Sequence, residues 1–485
     1  MRSRSLLVLA LAVALSAACA PSSRVGPRTL ARAAPALGTA AAAGAAWTYE
    51  VIASERGETL AVEATFPPGT GTELTVSDGA EAYVQDVVLI QGARRTPIPE
   101  SRRSWTAPGC ASGCVVTYRY DLAAAANARS DRSVAQMHGE AIQAPPSSWL
   151  LRPAEAPMGI PFRFHVKSAP GEAFAAGVFP SEQGAPDTYE GRTDGGFDLP
   201  YAAFGKIRRI QLAGGHVEAV MFPGTFKREA IVIEWIERSA RAVQAFYGHF
   251  PISRVLLLVQ PTRGRRVGFG TTMGSSGAAI EVPVGEDVTV EALQDDWMLV
   301  HEMIHTALPD VTREHHWLEE GLATYAEPLA RAHAQLVTPD QLWKDWILGM
   351  PKGEPAEGDE GLDRTHTWGR TYWGGALFCL EADVAIRERT GGKRSLVDAL
   401  RAIVAQGGNI SVSWPVERVL DVGDAATGVP VLRETYARMA RQPGPVDLPQ
   451  LWAKLGVRLE RGTVIYNDAA PLASIRRAMT EPMKP

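Results

Sequence analysis

The sequence has few cysteines, little excess charge and no long run of basic residues. Its 485 residues include 4 cysteines, and 49 lysines and arginines against 54 aspartates and glutamates leave a net charge of -5 at pH 7. The absence of a basic run excludes nucleic acid as an expected partner. Beyond the N-terminal segment, no apolar stretch is long enough to cross a bilayer. The hydrophobic content of 46% and charged content of 21% are ordinary for a globular chain, and the length predicts two or three domains.

The scarcity of cysteine also limits what these residues can do. A zinc site built on Cys110 and Cys114 would need a second cysteine pair, and the sequence has none. We predict a disulfide between Cys110 and Cys114 in an oxidising compartment, with free surface thiols as the alternative. Cys379 is expected to be a buried thiol.

Residues 1–19 have the build of a secretory signal. Two arginines precede about a dozen apolar residues, and small residues then run into Cys19. The sequence "SAAC" resembles a bacterial lipobox, although Ser16 stands where leucine is usual. The resemblance to a lipobox predicts lipidation of Cys19 and a periplasm-facing lipoprotein of the bacterial cell envelope, with plain secretion as the alternative. Membrane contact is expected only through this anchor. Residues 20–46, rich in alanine, glycine and proline, predict a linker.

Three patterns divide the rest of the chain. From 47 to 204, short alternating segments such as "TLAVEATF" are separated by turn residues, which predicts a β-sandwich. From 205 to 335, helical spacing and short apolar runs predict an α/β domain. From 336 to 460 the signals are almost all helical, and 461–485 is assigned as a C-terminal tail. The predicted fold class is therefore multidomain α+β.

The clearest chemistry lies in the stretch "DDWMLVHEMIHTALPD". Its apolar spacing predicts a helix on which His301 and His305 lie one turn apart on the same face, so that both imidazoles can reach one ion. Glu302 is displaced by about 100° around the helix axis, which lets it address a metal-bound water instead of the metal. The alternative is a core helix with hydrogen-bonded histidines, which would need partners for two imidazoles and a carboxylate.

A catalytic zinc usually has three protein ligands and one open position. A histidine six residues after His305 would suggest the metzincin arrangement, but that residue is Val311. The remaining candidates are acids and histidines further along the chain: Asp310, Glu314, His315, His316, Glu319, Glu320 and Glu327.

The sequence "HEMIH" followed by "WLEEGLATYAE" resembles the gluzincin metallopeptidases, in which a glutamate before a glycine is the third ligand. The resemblance implies one Zn²⁺ ion on His301, His305 and Glu320, with Glu302 as general base, in a thermolysin-like catalytic domain. Glu319 is the alternative third ligand.

Residues outside the zinc motifs extend the resemblance to the glycyl aminopeptidase family and, more distantly, to aminopeptidase N. The segment "RTYWGGALFCLEADVAIRERTGG" resembles one in which a tyrosine stabilises the oxyanion, which implies that role for Tyr372, with a buried core tyrosine as the alternative. His315 and His316 are expected to be loop residues near the site, and Tyr325 to pack beside it. The helical domain is expected to complete the cleft. We expect no PDZ domain of the kind often found after the catalytic region in the glycyl aminopeptidase family.

The exopeptidase signature of these families is not clear in this sequence. It normally places a glutamate for the substrate's amine on a glycine-rich edge strand before the zinc helix. The corresponding stretch "GFGTTMGSSGAAIEV" has Thr, Met or Gly there, and Glu281 lies further on. We expect an edge strand here to hold the peptide backbone through Gly274, Ser275 and Ser276, with a mobile loop as the alternative.

The predicted function is zinc-dependent hydrolysis of peptides or proteins, of aminopeptidase type. Endopeptidase specificity is one alternative. A lipid-anchored envelope interaction protein with an inert or structural zinc site is another.

Overall fold

The computed structural model of the protein describes residues 46–129, 132–155, 157–193 and 197–482. The signal segment, the lipidation site at Cys19 and nearly all of the linker lie outside the described residues and stay predictions. Within the described ranges, no helix combines the length and the apolar character needed to cross a membrane.

Strands dominate the N-terminal part of the described chain. Their bounds are β1 (Trp47–Ala53), β2 (Thr59–Pro68), β3 (Glu73–Thr75), β4 (Val84–Gln91), β5 (Arg94–Pro97), β6 (Trp105–Thr106), β7 (Ser112–Asp121), β8 (Gln136–His138), β9 (Ala141–Gln143), β10 (Arg152–Pro153), β11 (Pro161–Lys167), β12 (Ala173–Ala176), β13 (Thr188–Arg192) and β14 (Ala202–Gly205). The helices α1 (Leu122–Arg129) and α2 (Pro146–Trp149) interrupt them.

A seven-stranded sheet, in the order β13-β11-β1-β2-β7-β4-β5, forms the largest layer of this part. β1 and β11 are parallel and the other neighbours are antiparallel. The alternating sequence of β1 buries every second residue, so one face of the sheet is buried. That face shares a hydrophobic core with the four-stranded sheet β12-β14-β9-β8 and the three-stranded sheet β10-β3-β6. Cys110 and Cys114 form a disulfide at the start of β7, and Cys379 is a buried free thiol.

A mixed five-stranded sheet follows, with helices on one face. Its elements are β15 (Arg208–Leu212), β16 (Val217–Met221), α3 (Glu229–Tyr247), β17 (Val255–Thr262), β18 (Thr271–Gly274), β19 (Ala278–Gly285), α4 (Val290–Gln294), α5 (Met298–His305) and α6 (His316–His333). The strand order is β15-β16-β17-β19-β18, so β18 is an edge strand, antiparallel to β19. The apolar run "VLLLV" of β17 is buried on both faces: α3, α5 and α6 cover one, and a small cluster with residues of β9, β12 and β14 covers the other.

Helices form most of the C-terminal part. The elements are α7 (Pro339–Gly349), a π-helical turn (Gly369–Gly374), α8 (Gly375–Arg389), α9 (Leu396–Ala405), α10 (Val416–Thr427), α11 (Val431–Met439), α12 (Leu448–Leu455), β20 (Val457–Glu460), β21 (Thr463–Tyr466) and α13 (Ala473–Thr480). These helices share one hydrophobic core with the five-stranded sheet.

The described part of 461–485 contains β21 and α13, and the carbonyl of Met479 lies 2.8 Å from His333 Nε2 of α6. Met479 itself is fully buried, because the apolar face of α13 packs onto the core.

Candidate metal centre

The two histidines of "HEMIH" lie on α5 and face a carboxylate from α6. Glu320 Oε2 lies 3.4 Å from His301 Nε2 and 3.6 Å from His305 Nε2. One ligand atom from each residue lies within 4.8 Å of the others. Ligand atoms about 2 Å from a tetrahedral zinc ion are separated by roughly 3.3 Å. The donor types and the spacing therefore fit Zn²⁺ without rearrangement of the helices.

The electrostatics of the three groups also suit a cation. Burial alone would raise the pKa of the Glu320 carboxyl, but the imidazoles of His305 and His301 hold it well below its usual range. Burial alone would lower the pKa of His305, yet the charge and hydrogen bond of Glu320 raise it to about 9. Without a metal, a proton shared with His305 therefore balances the charge of Glu320. A dication would supply the same balance and displace that proton.

A close crossing between α6 and α8 sets the position of Glu320. A Cβ atom at Gly321, the next residue, would overlap the backbone of Gly375 at the start of α8. A Cβ at Gly375 would in turn overlap the carbonyl oxygen of Trp317, one turn before Gly321. Because both crossing residues are glycines, the two backbones touch. This contact explains the glycine after the glutamate in "EEG" and the first helical residue of α8 in "WGGAL".

Glu302 lies between the zinc helix and the edge strand. Its side chain is 6% exposed, and its Oε2 accepts a hydrogen bond of 2.6 Å from the hydroxyl of Thr272 on β18. The same hydroxyl lies 3.0 Å from the Glu302 carbonyl oxygen. A Cβ at Gly270 would lie 2.6 Å from Glu302 Cγ, so the glycine makes room for the carboxylate. The arrangement leaves Glu302 outside the three-residue donor group and next to the edge strand β18.

Glu319, the alternative third ligand, has other partners. Its Oε1 accepts from the backbone N–H of Val311 at 3.3 Å, and its Oε2 is 2.9 Å from His316 Nδ1. The hydrogen bond to Glu319 raises the pKa of His316, whose Nε2 lies 3.5 Å from Glu320 Oε1. The structure thus places His316 beside the metal centre. Glu319 connects the start of α6 to the loop after α5.

A buried carboxylate that the sequence analysis missed holds the start of α6. Asp363 Oδ1 accepts hydrogen bonds of 2.9 Å from His315 Nδ1 and from Trp317 Nε1, and Oδ2 accepts one of 2.8 Å from Tyr436. Burial would raise the pKa of Asp363, but the bond with His315 and the other donors lower it. His315 is therefore a buried structural residue in the short turn before α6. No local pattern around Asp363 signals this role, because its partners are 46 to 73 residues away in sequence.

Two further side chains, those of Trp297 and Glu327, interact with His301. The ring of Trp297, which precedes α5, contacts the His301 ring edge to face, with 5.5 Å between centroids. Glu327, another of the ligand candidates, is buried on α6 and forms an ion pair of 2.9 Å with Arg331. Burial raises the pKa of Glu327, and Arg331 opposes the rise. Glu327 is thus outside the donor group, and its nearest charged partner is on its own helix.

Tyr372 and Tyr325 occupy different surroundings. Tyr372 lies in the π-helical turn, three residues before the α6–α8 crossing at Gly375, and its ring stacks on that of Trp368 at 5.9 Å. Such turns occur frequently at functional sites. Tyr325 is fully buried, stacks on Trp346 and donates a hydrogen bond of 2.9 Å to Asp383, which fits a packing residue.

The residues expected to bind substrate backbone lie at the end of β18 and in the turn to β19. The N–H groups of Ser275 and Ser276 donate to the carbonyls of Ile410 and Ser411, and the Ser276 hydroxyl lies 2.8 Å from the carbonyl of Arg192. Ser275 and Ser276 are therefore already bonded to other segments of the protein.

Glu281, on β19 opposite Thr271, points away from the metal centre. It is buried and accepts a hydrogen bond of 2.8 Å from Gln143 of β9. It does not replace the missing acidic residue on the edge strand.

The fold of this chain is similar to that of a solved aminopeptidase N family protein. The structure of an aminopeptidase N family protein from Idiomarina loihiensis aligns with a TM-score of 0.64 over 85% of this chain and 79% of that chain, at 13% sequence identity. At that identity the likeness shows the fold alone. The sequence matches no protein-family model and no curated protein.

Two M1 zinc metallopeptidase structures also align with this chain. One is a mutant of a two-domain enzyme bound to L-arginine, with a TM-score of 0.49 and 14% identity over 84% of this chain and 96% of that chain. The other, a mutant from Deinococcus radiodurans, has a TM-score of 0.47 and 15% identity over 81% and 93%. At these TM-scores neither alignment supports an argument about this chain.

Proposed function

We propose that the protein is a zinc-dependent peptidase of aminopeptidase type. One observation carries the proposal: the ligand atoms of His301, His305 and Glu320 converge, and the buried Glu302 lies beside them against an edge strand. A purely structural zinc site has no use for a further carboxylate buried at that place. The fold shared with an aminopeptidase N family protein agrees with the proposal.

In the proposed reaction, His301, His305 and Glu320 would hold one Zn²⁺ ion. When bound, the ion supplies Lewis acidity that polarises the scissile carbonyl and lowers the pKa of water. The Glu302 carboxylate takes a proton from the attacking water and passes it to the leaving amine nitrogen. The Thr272 hydroxyl keeps Oε2 of Glu302 in place during this transfer.

Two further groups would act on the substrate. The edge of β18 with which no strand of the described residues pairs would hold an extended peptide by backbone hydrogen bonds. Tyr372 donates a hydrogen bond to the carbonyl oxygen as negative charge develops on it, which is where a fixed donor contributes most to the rate.

The first prediction separates metal binding from catalysis. The Glu302→Gln variant should bind one zinc ion as the parent does but lose peptidase activity by about 1000-fold or more, because the amide cannot accept the proton of water. The His301→Ala variant should lose both, because one of three ligands is removed. Metal content by atomic absorption and hydrolysis of a mixed peptide library, with and without chelator, are the two measurements.

Exposed His249 offers a matched control, because it lies outside the metal centre. The His249→Ala variant should keep both zinc and activity. A Glu302→Gln variant as active as the parent would contradict the proposed peptidase function. Bound zinc in the parent without turnover of any peptide would favour a structural or inert zinc site.

A further inference from the structure

Three exposed arginines lie just before the edge strand. Arg263, Arg265 and Arg266 fall within four residues, and none of them forms an ion pair with a described residue. Segment 261–280 contains no aspartate or glutamate. The whole chain has a net charge of -5 at pH 7, so this concentration of positive charge runs against the overall balance. We name residues 263–266 the arginine loop.

The arginine loop continues the edge of the sheet beyond β18. The Gly268 N–H donates to the carbonyl oxygen of Pro283 at 2.8 Å, and the Gly285 N–H donates to that of Arg266 at 2.9 Å. Residues 266–268 therefore run alongside β19 as β18 does, and no strand of the described residues pairs with their outer side. A peptide bound along β18 meets the arginines when it extends in this direction.

The pairing with β19 gives the distance from the candidate metal centre to the arginine loop. Thr272, whose hydroxyl bonds Glu302, pairs with Ile280, and Arg266 lies beside Gly285. These two positions of β19 are five residues apart, which is about 17 Å. An extended peptide has the same rise per residue, so a residue about five positions from the scissile bond reaches Arg266.

The other end of β18 has less room for a peptide. A Cβ atom at Gly274 would overlap the carbonyl oxygen of Ile410, and the Ser275 N–H donates to the same oxygen at 3.1 Å. Gly274 is two residues from Thr272, so about 7 Å of strand is open on that side. The longer part of a bound peptide therefore lies towards the arginine loop.

Acidic residues beside the arginine loop do not cancel its charge. Backbone hydrogen bonds bring segments 224–228 and 284–291 next to the loop. Together with 261–274, these segments contain five lysines and arginines and three aspartates and glutamates. Asp287, one of the three acids, forms an ion pair of 2.6 Å with Lys227. An excess of two positive charges remains for a substrate.

The charge of one arginine is partly balanced within the protein. Hydrogen bonds at the start of α4 lower the pKa of Glu291, and the charges of Arg228 and Arg265 lower it further. A peptide must therefore compete with Glu291 for Arg265. We expect Arg263 and Arg266 to contribute more to binding than Arg265 does.

A fourth arginine touches β18 from the N-terminal part. Arg132 Nη1 donates a hydrogen bond of 2.7 Å to the Thr271 hydroxyl and lies 4.0 Å from the Glu281 carboxylate. The Arg132 side chain is 39% exposed, and the buried Glu281 balances part of its charge. The exposed part of Arg132 thus favours an anionic peptide on this strand, as the arginine loop does.

We propose that the arginine loop makes acidic peptides the preferred substrates of this protein, through carboxylates about five residues from the scissile bond. The inference rests on the proposed peptidase function and adds a substrate class to it. The guanidinium group binds a carboxylate through parallel N–H donors. The carboxylate belongs to an aspartate or glutamate side chain or to the carboxyl terminus of a short peptide, because both present the same group.

The zinc-loaded wild-type protein gives the first test. Amidated peptides of about eight residues, identical except for Glu, Gln or Lys about five positions after the scissile bond, are compared by kcat/KM. The Glu peptide should be cleaved about fivefold better than the Gln peptide, and the Lys peptide worse than both, at low salt. About 0.5 M salt should remove most of the difference, because exposed charges are then screened. Equal rates for Glu and Gln, or a preference for Lys, overturns the inference.

A shorter Gln peptide that ends about five residues after the scissile bond, with a free or an amidated carboxyl terminus, identifies the source of the carboxylate. A free terminus that gives the same advantage as Glu shows that the chain end binds at the arginine loop. An advantage for the Glu side chain alone shows that the loop reads internal acidic residues. Either result supports the inference, and the absence of both advantages overturns it.

Variants of the arginine loop give the second test. The combined Arg263→Gln and Arg266→Gln variant should lower the ratio of kcat/KM for the Glu and Gln peptides to near one. The matched control is Arg94→Gln combined with Arg95→Gln, two exposed arginines on the edge strand β5 of the seven-stranded sheet. The control removes the same charge, and its ratio should stay that of the wild type. An undiminished ratio in the folded loop variant overturns the role of the arginines.

Peptide binding without turnover separates the inference from the peptidase function. The zinc-loaded Glu302→Gln variant should bind a fluorescent Glu peptide about fivefold more tightly than the Gln peptide, measured by anisotropy. If the wild type hydrolyses no peptide but this difference is found, the peptidase function fails and recognition of acidic peptides stands. Equal binding of the two peptides overturns the inference. If the loop variant loses binding only to vesicles of phosphatidylglycerol and phosphatidylcholine, the arginines face a membrane and the inference is overturned.

Discussion

At the scale of single residues, the pair formed by Thr272 and Glu302 links the edge strand β18 to α5. A hydrogen bond to a charged carboxylate contributes about 1.5–3 kcal/mol, more than one between neutral groups. The bond of 2.6 Å fixes one carboxylate oxygen. In the proposed reaction, Glu302 would therefore keep one orientation while a proton enters and leaves.

The Thr272→Val variant tests this orientation. Valine preserves the shape of threonine but cannot donate, so we expect kcat to fall by about 10- to 100-fold. KM and zinc content should change little, because no metal ligand is touched. Steady-state kinetics on one good substrate, together with metal analysis, provide the measurement.

Thr271 supplies the control for this variant. Its hydroxyl donates to the Gly270 carbonyl and accepts from Arg132, away from Glu302. The Thr271→Val variant should keep a kcat near that of the wild type. Equal losses in the two variants would mean that the strand, and not the hydroxyl on Glu302, was disturbed.

At the scale of elements, the crossing of α6 and α8 is the contact that positions the candidate metal centre. Gly321 follows the candidate ligand Glu320 directly, and its Cα faces the backbone of Gly375 with no room for a methyl group. Any side chain there must push the helices apart or rotate α6. Either movement takes the Glu320 carboxylate away from the two histidines.

The Gly321→Ala variant should show both consequences. Alanine favours the helix by about 1 kcal/mol, but overpacking in a filled contact costs about 1–3 kcal/mol or more, so we expect a lower Tm. Zinc affinity should fall by about tenfold or more, because a loss of about 1.4 kcal/mol in binding free energy already lowers the affinity tenfold. Thermal unfolding of the metal-free protein and zinc titration measure the two effects separately.

Thr324→Ala, at a half-buried position of the same helix, is the control and should leave zinc affinity unchanged. A Gly321→Ala variant with wild-type zinc affinity would show that α6 can shift without moving Glu320.

The same elements show what the sequence could and could not predict. His301, Glu302 and His305 follow from helical spacing alone, and Glu320 follows from a short motif, because these signals are local. Segment 409–413 and Asp363 make contacts between distant parts of the chain, which no periodicity records. The role of Gly274, Ser275 and Ser276 in substrate binding stays a prediction. Sequence could not reveal that the N–H groups of Ser275 and Ser276 already donate to Ile410 and Ser411.

At the scale of the whole molecule, the edge strand is held from both sides. The N-terminal part bonds the turn after β18 through Phe179, whose N–H donates to the Ser276 carbonyl at 2.9 Å, and through the backbone of Arg192. The helical part bonds the same turn through the carbonyl oxygens of Ile410 and Ser411. Residues far apart in sequence thus fix the position of β18 relative to α5. The N-terminal part therefore supports this edge strand and also forms a separate β-rich core.

His138 lies where the N-terminal part contacts the five-stranded sheet, and it makes this contact sensitive to acid. His138, on β8, packs its ring against Phe222, with 4.4 Å between centroids, and lies 3.4 Å from Gln260 of β17. Burial lowers its pKa from 6.5 to about 4, although a hydrogen bond with Gln143 acts in the opposite sense. The unfolded chain therefore binds a proton at a higher pH than the folded protein does. The resulting stability is present above pH 6.5 and is lost as the pH falls towards 4.

The His138→Gln variant should remove this part of the acid sensitivity. Each unit of pKa shift corresponds to about 1.4 kcal/mol, so the histidine accounts for up to about 3 kcal/mol of lost unfolding free energy across that window. Urea unfolding at pH 7, 5.5 and 4.5 should give a shallower decline for His138→Gln than for the wild type. The His249→Gln variant, changed at an exposed histidine, should decline as steeply as the wild type. If His138→Gln loses stability as steeply as the wild type, then other groups, and not the histidine between β8 and β17, cause the acid sensitivity.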